Sequence, residues 1–207
     1  LLNWTNVKKL NLSGYKKLAD VSVIDDREVL QTLNLKNCTN LETVSVSGDR
    51  LSKLKLKGAK NLEKLKVSGR SLKSLDLKTN TQLKELRLGW GTNTSSLDLS
   101  KNKKLTFLWC YRTELVSLDL SKNTNLTKVD CHSNPKLEKL NVKGCRKLKS
   151  LHVNNTKLKK LNVKNNVNLR KLRCKNTDLT KLNLSNTKIR KPSALQCDPD
   201  VTVTYAK

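Results

Sequence analysis

Pairs of apolar residues separated by one residue recur along this chain every 10 to 12 positions. Their first members are Leu10, Val21, Leu33, Val44, Leu54, Leu65, Leu75, Leu86, Leu97, Leu108, Leu118, Val129, Leu140, Leu151, Leu161, Leu172 and Leu182. So short and steady an interval leaves no room for ordinary helices between the pairs, and no single pair can bury its own apolar face. The units fall into two alternating types, so the true period is about 21 residues, the interval of a stacked repeat. The first type reads like Leu118-Asp-Leu120-Ser-Lys-Asn123-Thr-Asn-Leu126. Asn80, Asn102, Asn123 and Asn166, or Cys38 and Cys145, stand three residues after its second leucine. An inward amide there satisfies backbone groups at the turn. The second type reads like Leu172-Arg-Cys174-Lys-Asn-Thr177-Asp-Leu179, with Thr113, Asn134, Thr156 or Thr177 at the equivalent place.

Alternate residues of a strand point to opposite sides, so the Leu, Val and Cys positions stack from coil to coil into one continuous core. The spacing predicts a β-rich solenoid with two short parallel strands per coil and very little helix. Eight or nine coils at about 4.8 Å between strands give a right-handed curved rod on the order of 40 Å long. No linker or composition shift breaks the register. The expectation is therefore a single domain over 1–207, with regular repeats over 7–190 and a C-terminal cap over 191–207. In that cap Val201-Thr-Val203-Thr-Tyr205 reads as a last strand covering the end of the core, and Leu195-Gln-Cys197 as a displaced strand of the second type.

The segments LDLSKNTNLTKVD (Leu118 to Asp130), continuing into Cys131-His-Ser-Asn134, and Leu108-Trp-Cys110-Tyr-Arg-Thr-Glu-Leu115-Val-Ser-Leu118 resemble the leucine-rich-repeat arrays of surface and secreted proteins in Gram-positive gut bacteria, a loosely internalin-like group. The likeness covers nearly the whole chain. It implies a leucine-rich-repeat superhelix, an extracellular or cell-surface setting, and a role in adhesion or host interaction.

Composition narrows the partner. Lys and Arg number 43 against 17 Asp and Glu, a formal net charge of +26 in 207 residues, which points to an anionic partner. Much of this charge reads as a solvated face that keeps a leucine-rich rod soluble. The alternative is attachment to anionic polymers such as teichoic acids or sulfated and sialylated glycans. Nucleic acid is disfavoured because the aromatic residues cluster instead of tracking a groove. No apolar run approaches the roughly 20 residues of a membrane span. The chain opens at Leu1-Leu2-Asn3-Trp4 without initiator Met, basic leader or signal-peptide run, and reads as a piece of a longer protein.

Cys110, Cys131, Cys174 and Cys197 take places that Leu or Val fill in other coils, and all six cysteines read as small buried thiols. Pairing of Cys110 with Cys131, or of Cys174 with Cys197, stays open. No C-x-x-C is present and there are only two histidines, so no zinc site and no cofactor are expected. Catalysis is not expected either. Cys131 should face inward, away from its neighbour His132, and no Ser or Cys nucleophile falls in register with His132 and His152.

Coils of one chain can be compared with each other, and this separates positions that the architecture holds constant from those left free. The outward column of the first type is monotonous: Asn11, Asn34, Asp76, Asp98, Asp119, Asn141, Asn162 and Asn183. That sameness reads as structural. The second type varies through Ser22, Ser45, Lys66, Arg87, Trp109, Asp130, His152 and Arg173, which suits recognition. Within it Phe107, the only Phe of the chain, joins Trp109 and Tyr111 on one strand. Glu85, Arg87 and Trp90 flank them on the preceding coil, with Lys128, Asp130 and His132 on the next. Aromatic clusters beside Arg anchor interfaces and form platforms for sugar rings. These nine residues are the candidate binding site for a protein or glycan, with Trp90 as a side wall. Packing against a neighbouring domain or a second copy is the plainer reading of the same cluster, and a structural spacer with a polycationic shell is the alternative function.

Overall fold

The computed structural model of the chain describes residues 6–26, 28–89, 92–190 and 192–205. A first-type strand, β1 (Lys9–Asn11), is followed by a second-type strand, β2 (Asp20–Ile24), and the chain continues to alternate: β3 (Thr32–Asn34), β4 (Thr43–Ser47), β5 (Lys53–Lys55), β6 (Lys64–Ser68). Beyond these come β7 (Glu85–Gly89), β8 (Phe107–Cys110), β9 (Ser117–Asp119), β10 (Lys128–Asp130), β11 (Lys139–Asn141), β12 (Ser150–His152), β13 (Lys171–Cys174) and β14 (Lys181–Asn183). The described chain closes with a single 3₁₀ turn at Pro192–Ala194, β15 (Leu195–Cys197) and β16 (Thr202–Thr204); it contains no α-helix among the described residues.

All second-type strands join one nine-stranded parallel sheet in the order β2-β4-β6-β7-β8-β10-β12-β13-β15, one strand per coil. The fold is thus a parallel leucine-rich-repeat solenoid of about nine coils. First-type strands form shorter sheets, β1-β3-β5, β9-β11 and β14-β16. Around Leu75, Leu97 and Leu161 no strand forms, although the three leucines stay buried at 7–8% exposure. Packing, more than a hydrogen-bond ladder, holds those three turns. Leu195 pairs with Leu172 in parallel register and Thr202 with Lys181, so both C-terminal segments extend the stacks.

The core is one continuous cluster of side chains from both strand types. Leu33, Leu86, Leu108, Val129, Leu151 and Leu172 are each no more than 1% exposed, and the same holds for Cys110, Cys131 and Cys174. The amide ladder sits at its turn. Asn102 Nδ2 donates to the carbonyls of Leu77 (3.1 Å) and Asn80 (2.8 Å) in the coil before it, and Asn80, Asn123 and Asn166 repeat the pattern. Cys38 and Cys145 each make one weak S–H bond to the coil before, at Leu12 O (3.0 Å) and Leu120 O (3.3 Å), and Cys38 Sγ also lies 3.9 Å from Lys36 O. The monotonous outward column is also accounted for: all eight Asn and Asp side chains accept the backbone N–H two residues on, at 2.8–3.2 Å. Each is a local turn lock, the Asx turn that these residue types favour.

All six cysteines are unbonded thiols; Cys174 and Cys197 are register partners on neighbouring strands. Burial pushes the thiols of Cys145 and Cys174 up to about 12, and burial also raises half-buried Cys197. A thiolate is the species that reacts with a disulfide reagent. In the native protein at pH 8 the expectation is that only Cys197 reacts with an aromatic disulfide reagent within minutes, and that all six thiols titrate after denaturation. A second fast thiol in the native state would mean that the coil stack opens.

Candidate functional site

Second-type strands present three outward columns, one before, one between and one after the two buried residues. In parallel register Glu85, Phe107 and Lys128 share the first column, while Arg87, Trp109 and Asp130 share the second. That second column continues through His152 and Arg173. Gly89, Tyr111 and His132 occupy the third on successive coils. Alternation puts Leu108 and Cys110 fully inside and leaves Phe107, Trp109 and Tyr111 half-exposed on the outer face.

Two clusters result. Around Phe107, the Arg87 guanidinium lies 4.8 Å and the Lys128 ammonium 5.3 Å from the ring centroid, one cation from each neighbouring coil. Glu85 pairs with Arg87 along the same strand. A cation above a phenyl face contributes about 0.5–1 kcal/mol at an exposed site, so this trio is a preorganised patch more than a source of stability.

The second cluster runs across the coils as a ladder of rings. Trp109 stacks on Tyr111 (centroids 5.6 Å, 21° between planes), Tyr111 on His132 (4.5 Å, 30°) and His132 on His152 (4.5 Å, 6°). Arg112, in a left-handed backbone conformation at φ 50°, places its guanidinium 5.2 Å from the Tyr111 ring. Trp109 leans over Gly89 of the preceding coil, where a Cβ would come within 2.6 Å of the indole. Any other residue at 89 would lift the indole off the sheet.

Asp130 joins the two histidines. Its Oδ1 lies 2.6 Å from His132 Nδ1 and its Oδ2 3.2 Å from His152 Nδ1; the His132 backbone N–H also donates to Oδ1 at 3.3 Å. All three side chains are half-buried, at 13% exposure for Asp130, 26% for His132 and 18% for His152. Burial is the largest influence on the Asp130 carboxyl and pushes it up. The hydrogen bonds from His152 and His132 and the charge of His152 together outweigh it and hold the group below its ordinary value. The carboxylate therefore stays ionised wherever the imidazoles face it. Arg173, register partner of His152, has a buried Nε without a hydrogen-bond partner.

Eight of the nine residues anticipated from the sequence share this face, on β7, β8, β10 and the residues just after them; Trp90 lies outside the described residues. They do not act as one patch. Phe107 belongs with Glu85, Arg87 and Lys128, whereas Trp109 and Tyr111 belong with Asp130 and His132. His152 was missing from the anticipated set although it stands in the same column as Asp130, 22 residues on, and the repeat arithmetic was the signal for it. Gly89 was also missing; a glycine at an outward strand position was its signal. Cys131 is fully buried, and its thiol is raised well above the ordinary value by the Cys110 hydrogen bond and by burial, so it offers His132 no thiolate.

No sequence-family model and no curated protein sequence matches the chain. Solved structures do match it. The functional domain of InlJ from Listeria monocytogenes, described as including a cysteine ladder, is 25% identical with a TM-score of 0.53 over 88% of this chain and 47% of that one. This chain therefore spans just under half the length of that domain. A leucine-rich-repeat protein of Leptospira interrogans is 16% identical over 97% of this chain and 80% of its own (TM-score 0.37). The internalin InlF of Listeria monocytogenes is 18% identical over 95% and 86% (TM-score 0.29). The fold shared with InlJ is the leucine-rich-repeat solenoid. None of the helices among the described residues is long and apolar enough to cross a membrane.

Proposed function

We propose that the chain is an extracellular or cell-surface recognition module that binds a macromolecular partner through its nine-stranded sheet, centred on Trp109. One observation carries this reading. Eight coils spend their first-type outward residue on an identical turn lock, while the second-type outward residue changes at almost every coil and collects aromatic rings, cations and an ionised carboxylate on β7, β8 and β10. A repeat scaffold that holds one side constant and varies the other presents a rigid surface for binding. Aromatic residues with Arg beside them are the usual anchors of such surfaces.

A second observation favours the alternative, a spacer whose cationic shell adheres to anionic polymers. On the first-type side, two open grooves of about 550 and 600 Å³ flank the coil at 159–164. Lys139, Lys143, Lys159 and Lys160 line one, and Lys159, Lys160, Lys164 and Lys181 line the other.

Simultaneous replacement of Phe107, Trp109 and Tyr111 by Ala separates the two readings. An array of host proteins and of neutral and sulfated glycans, probed at 50 and 300 mM salt, is the measurement. The recognition reading expects capture by the parent chain that falls at least 100-fold in the triple variant, about 3 kcal/mol for lost anchors, with an unchanged melting temperature. Capture of sulfated glycans alone, equal in both proteins and lost at high salt, would overturn it in favour of the cationic shell.

A further inference from the structure

The chain has two histidines in 207 residues, and the stacking of coils brings them ring to ring against one carboxylate. We propose that Asp130, His132 and His152 form a binding site for a divalent transition cation of the imidazole-preferring class, with Zn²⁺ as its probe. Each side chain gives one donor atom, and the remaining coordination positions stay open to water or to a ligand from outside.

The donor set points there first. Two imidazole nitrogens and a carboxylate oxygen suit Zn²⁺, Ni²⁺ or Cu²⁺ and are a poor match for Ca²⁺ or Mg²⁺, which take oxygen ligands. Placement is the second argument. One donor atom from each of the three residues lies within 4.8 Å of the other two. The edges of a tetrahedral site with bonds near 2.0–2.1 Å are about 3.3 Å, so side-chain torsions alone close the gap while the strands stay in place. The three donors sit on or immediately after β10 and β12, in register on a packed sheet, so little chain entropy is lost when they converge. Both nitrogens are already gathered at one carboxylate, each oxygen of Asp130 facing the Nδ1 of a different ring. Rotation of the imidazoles out of their near-parallel stack (6°) is the movement that would aim both lone pairs at one cation. A cation replacing the shared protons would sit among those atoms. Half-burial removes part of the competing water and leaves one side open, the arrangement of a three-ligand site.

Two features oppose binding. Arg173 flanks His152, and the chain carries +26 overall. At 0.15 M salt, charges more than about 8 Å away are largely screened, so the opposing charges that count are the neighbouring ones, Arg173 beside His152, Arg112 beyond Tyr111 and Lys128 on the strand of Asp130. This inference departs from the expectation of no metal that cysteine spacing gave. The cysteines are buried in the core, and the donors here come from a different set on the outer face.

The test uses the full chain without a polyhistidine tag, stripped with a chelator and desalted. Calorimetric titration with ZnCl₂ is expected to show one saturable site per chain. His132→Gln or His152→Gln should weaken it more than 10-fold, and the double variant should abolish it. CaCl₂ should give no saturable site. Because the chain has only two histidines, a ¹³C-resolved spectrum of the wild type holds two imidazole ring systems, and both should shift together up to one equivalent of Zn²⁺; this readout needs no variant to fold. The proposal is overturned if wild type shows no one-to-one event, if the double variant binds as wild type does, if Ca²⁺ binds as tightly, or if one ring or neither moves. Zn²⁺ binding without partner capture, or capture without Zn²⁺ binding, tells this site apart from the recognition surface, since neither rests on the other.

Discussion

Gly69→Ala is expected to destabilise the protein by about 4 kcal/mol, because the added methyl group meets both an unfavourable backbone conformation and the backbone of the neighbouring coil. Gly69 follows β6 with φ +143°, a backbone conformation open essentially to glycine alone, which costs another residue about 1–3 kcal/mol. A Cβ there would also overlap the carbonyl oxygen of Gly48 in the preceding coil and lie 2.9 Å from its carbonyl carbon. Both atoms are backbone, and the Gly48 N–H is tied to Ser68 O at 3.1 Å, so nothing can rotate aside and the coil itself must shift, adding about 1–3 kcal/mol. In a chain of this size each kcal/mol lowers the melting temperature by roughly 2–4 °C, so Gly69→Ala should melt about 10 °C below the parent. Gly14→Ala is the internal comparison. Its φ is also positive, +80°, yet nothing lies within 4 Å of the added atom, so only the conformational cost of about 1 kcal/mol applies. Equal melting temperatures for the two variants would refute the argument that the neighbouring coil's backbone decides the cost.

Asn102→Ala is expected to cost about 3 kcal/mol. The side chain is fully buried and its amide supplies the only donor that links Leu77 O and Asn80 O to the next coil through this ladder. Leu77 O and Asn80 O keep the backbone N–H groups of Asn80 and Leu83 as donors, so alanine costs the two side-chain bonds, at about 0.5–1.5 kcal/mol each, plus the space the amide fills. The chain itself contains the milder variant, because Cys38 and Cys145 hold the same place with one S–H bond to the preceding coil. Asn102→Cys should therefore lose about half as much. It also removes the Asn102 Oδ1, which is buried with no partner, as are its counterparts in Asn80, Asn123 and Asn166. Urea denaturation followed by circular dichroism reads both variants. If the Cys variant is as unstable as the Ala variant, the ladder stabilises by filling space and its hydrogen bonds are secondary.

Much of the fold was legible before any coordinates. Residue spacing alone located every second-type strand, the two-type alternation and the inward amides, and it marked the Asn and Asp column as structural, while the turn lock that column forms came from the structure. What it overstated was the regularity of the first type: Leu75, Leu97 and Leu161 are buried without forming strands. A three-residue run is short enough for packing to hold it in place without a continuous ladder. The candidate surface was legible as a strand-by-strand inventory but not as a set of contacts. Outward columns say which side chains are neighbours in register; they do not say that Trp109 turns toward Gly89 and Tyr111, or that Phe107 is claimed by Arg87 and Lys128 instead.

The sequence by itself determined the coil: a period of about 21, with a buried residue at every second strand position, can bury its apolar face only by stacking on copies of itself. Only the tertiary structure decided the chemistry of the surface. His132 and His152 are 20 residues apart in the chain and in different outward columns, and their rings meet across Asp130 because the torsions of side chains on adjacent strands, which no spacing rule specifies, turn them toward the same carboxylate.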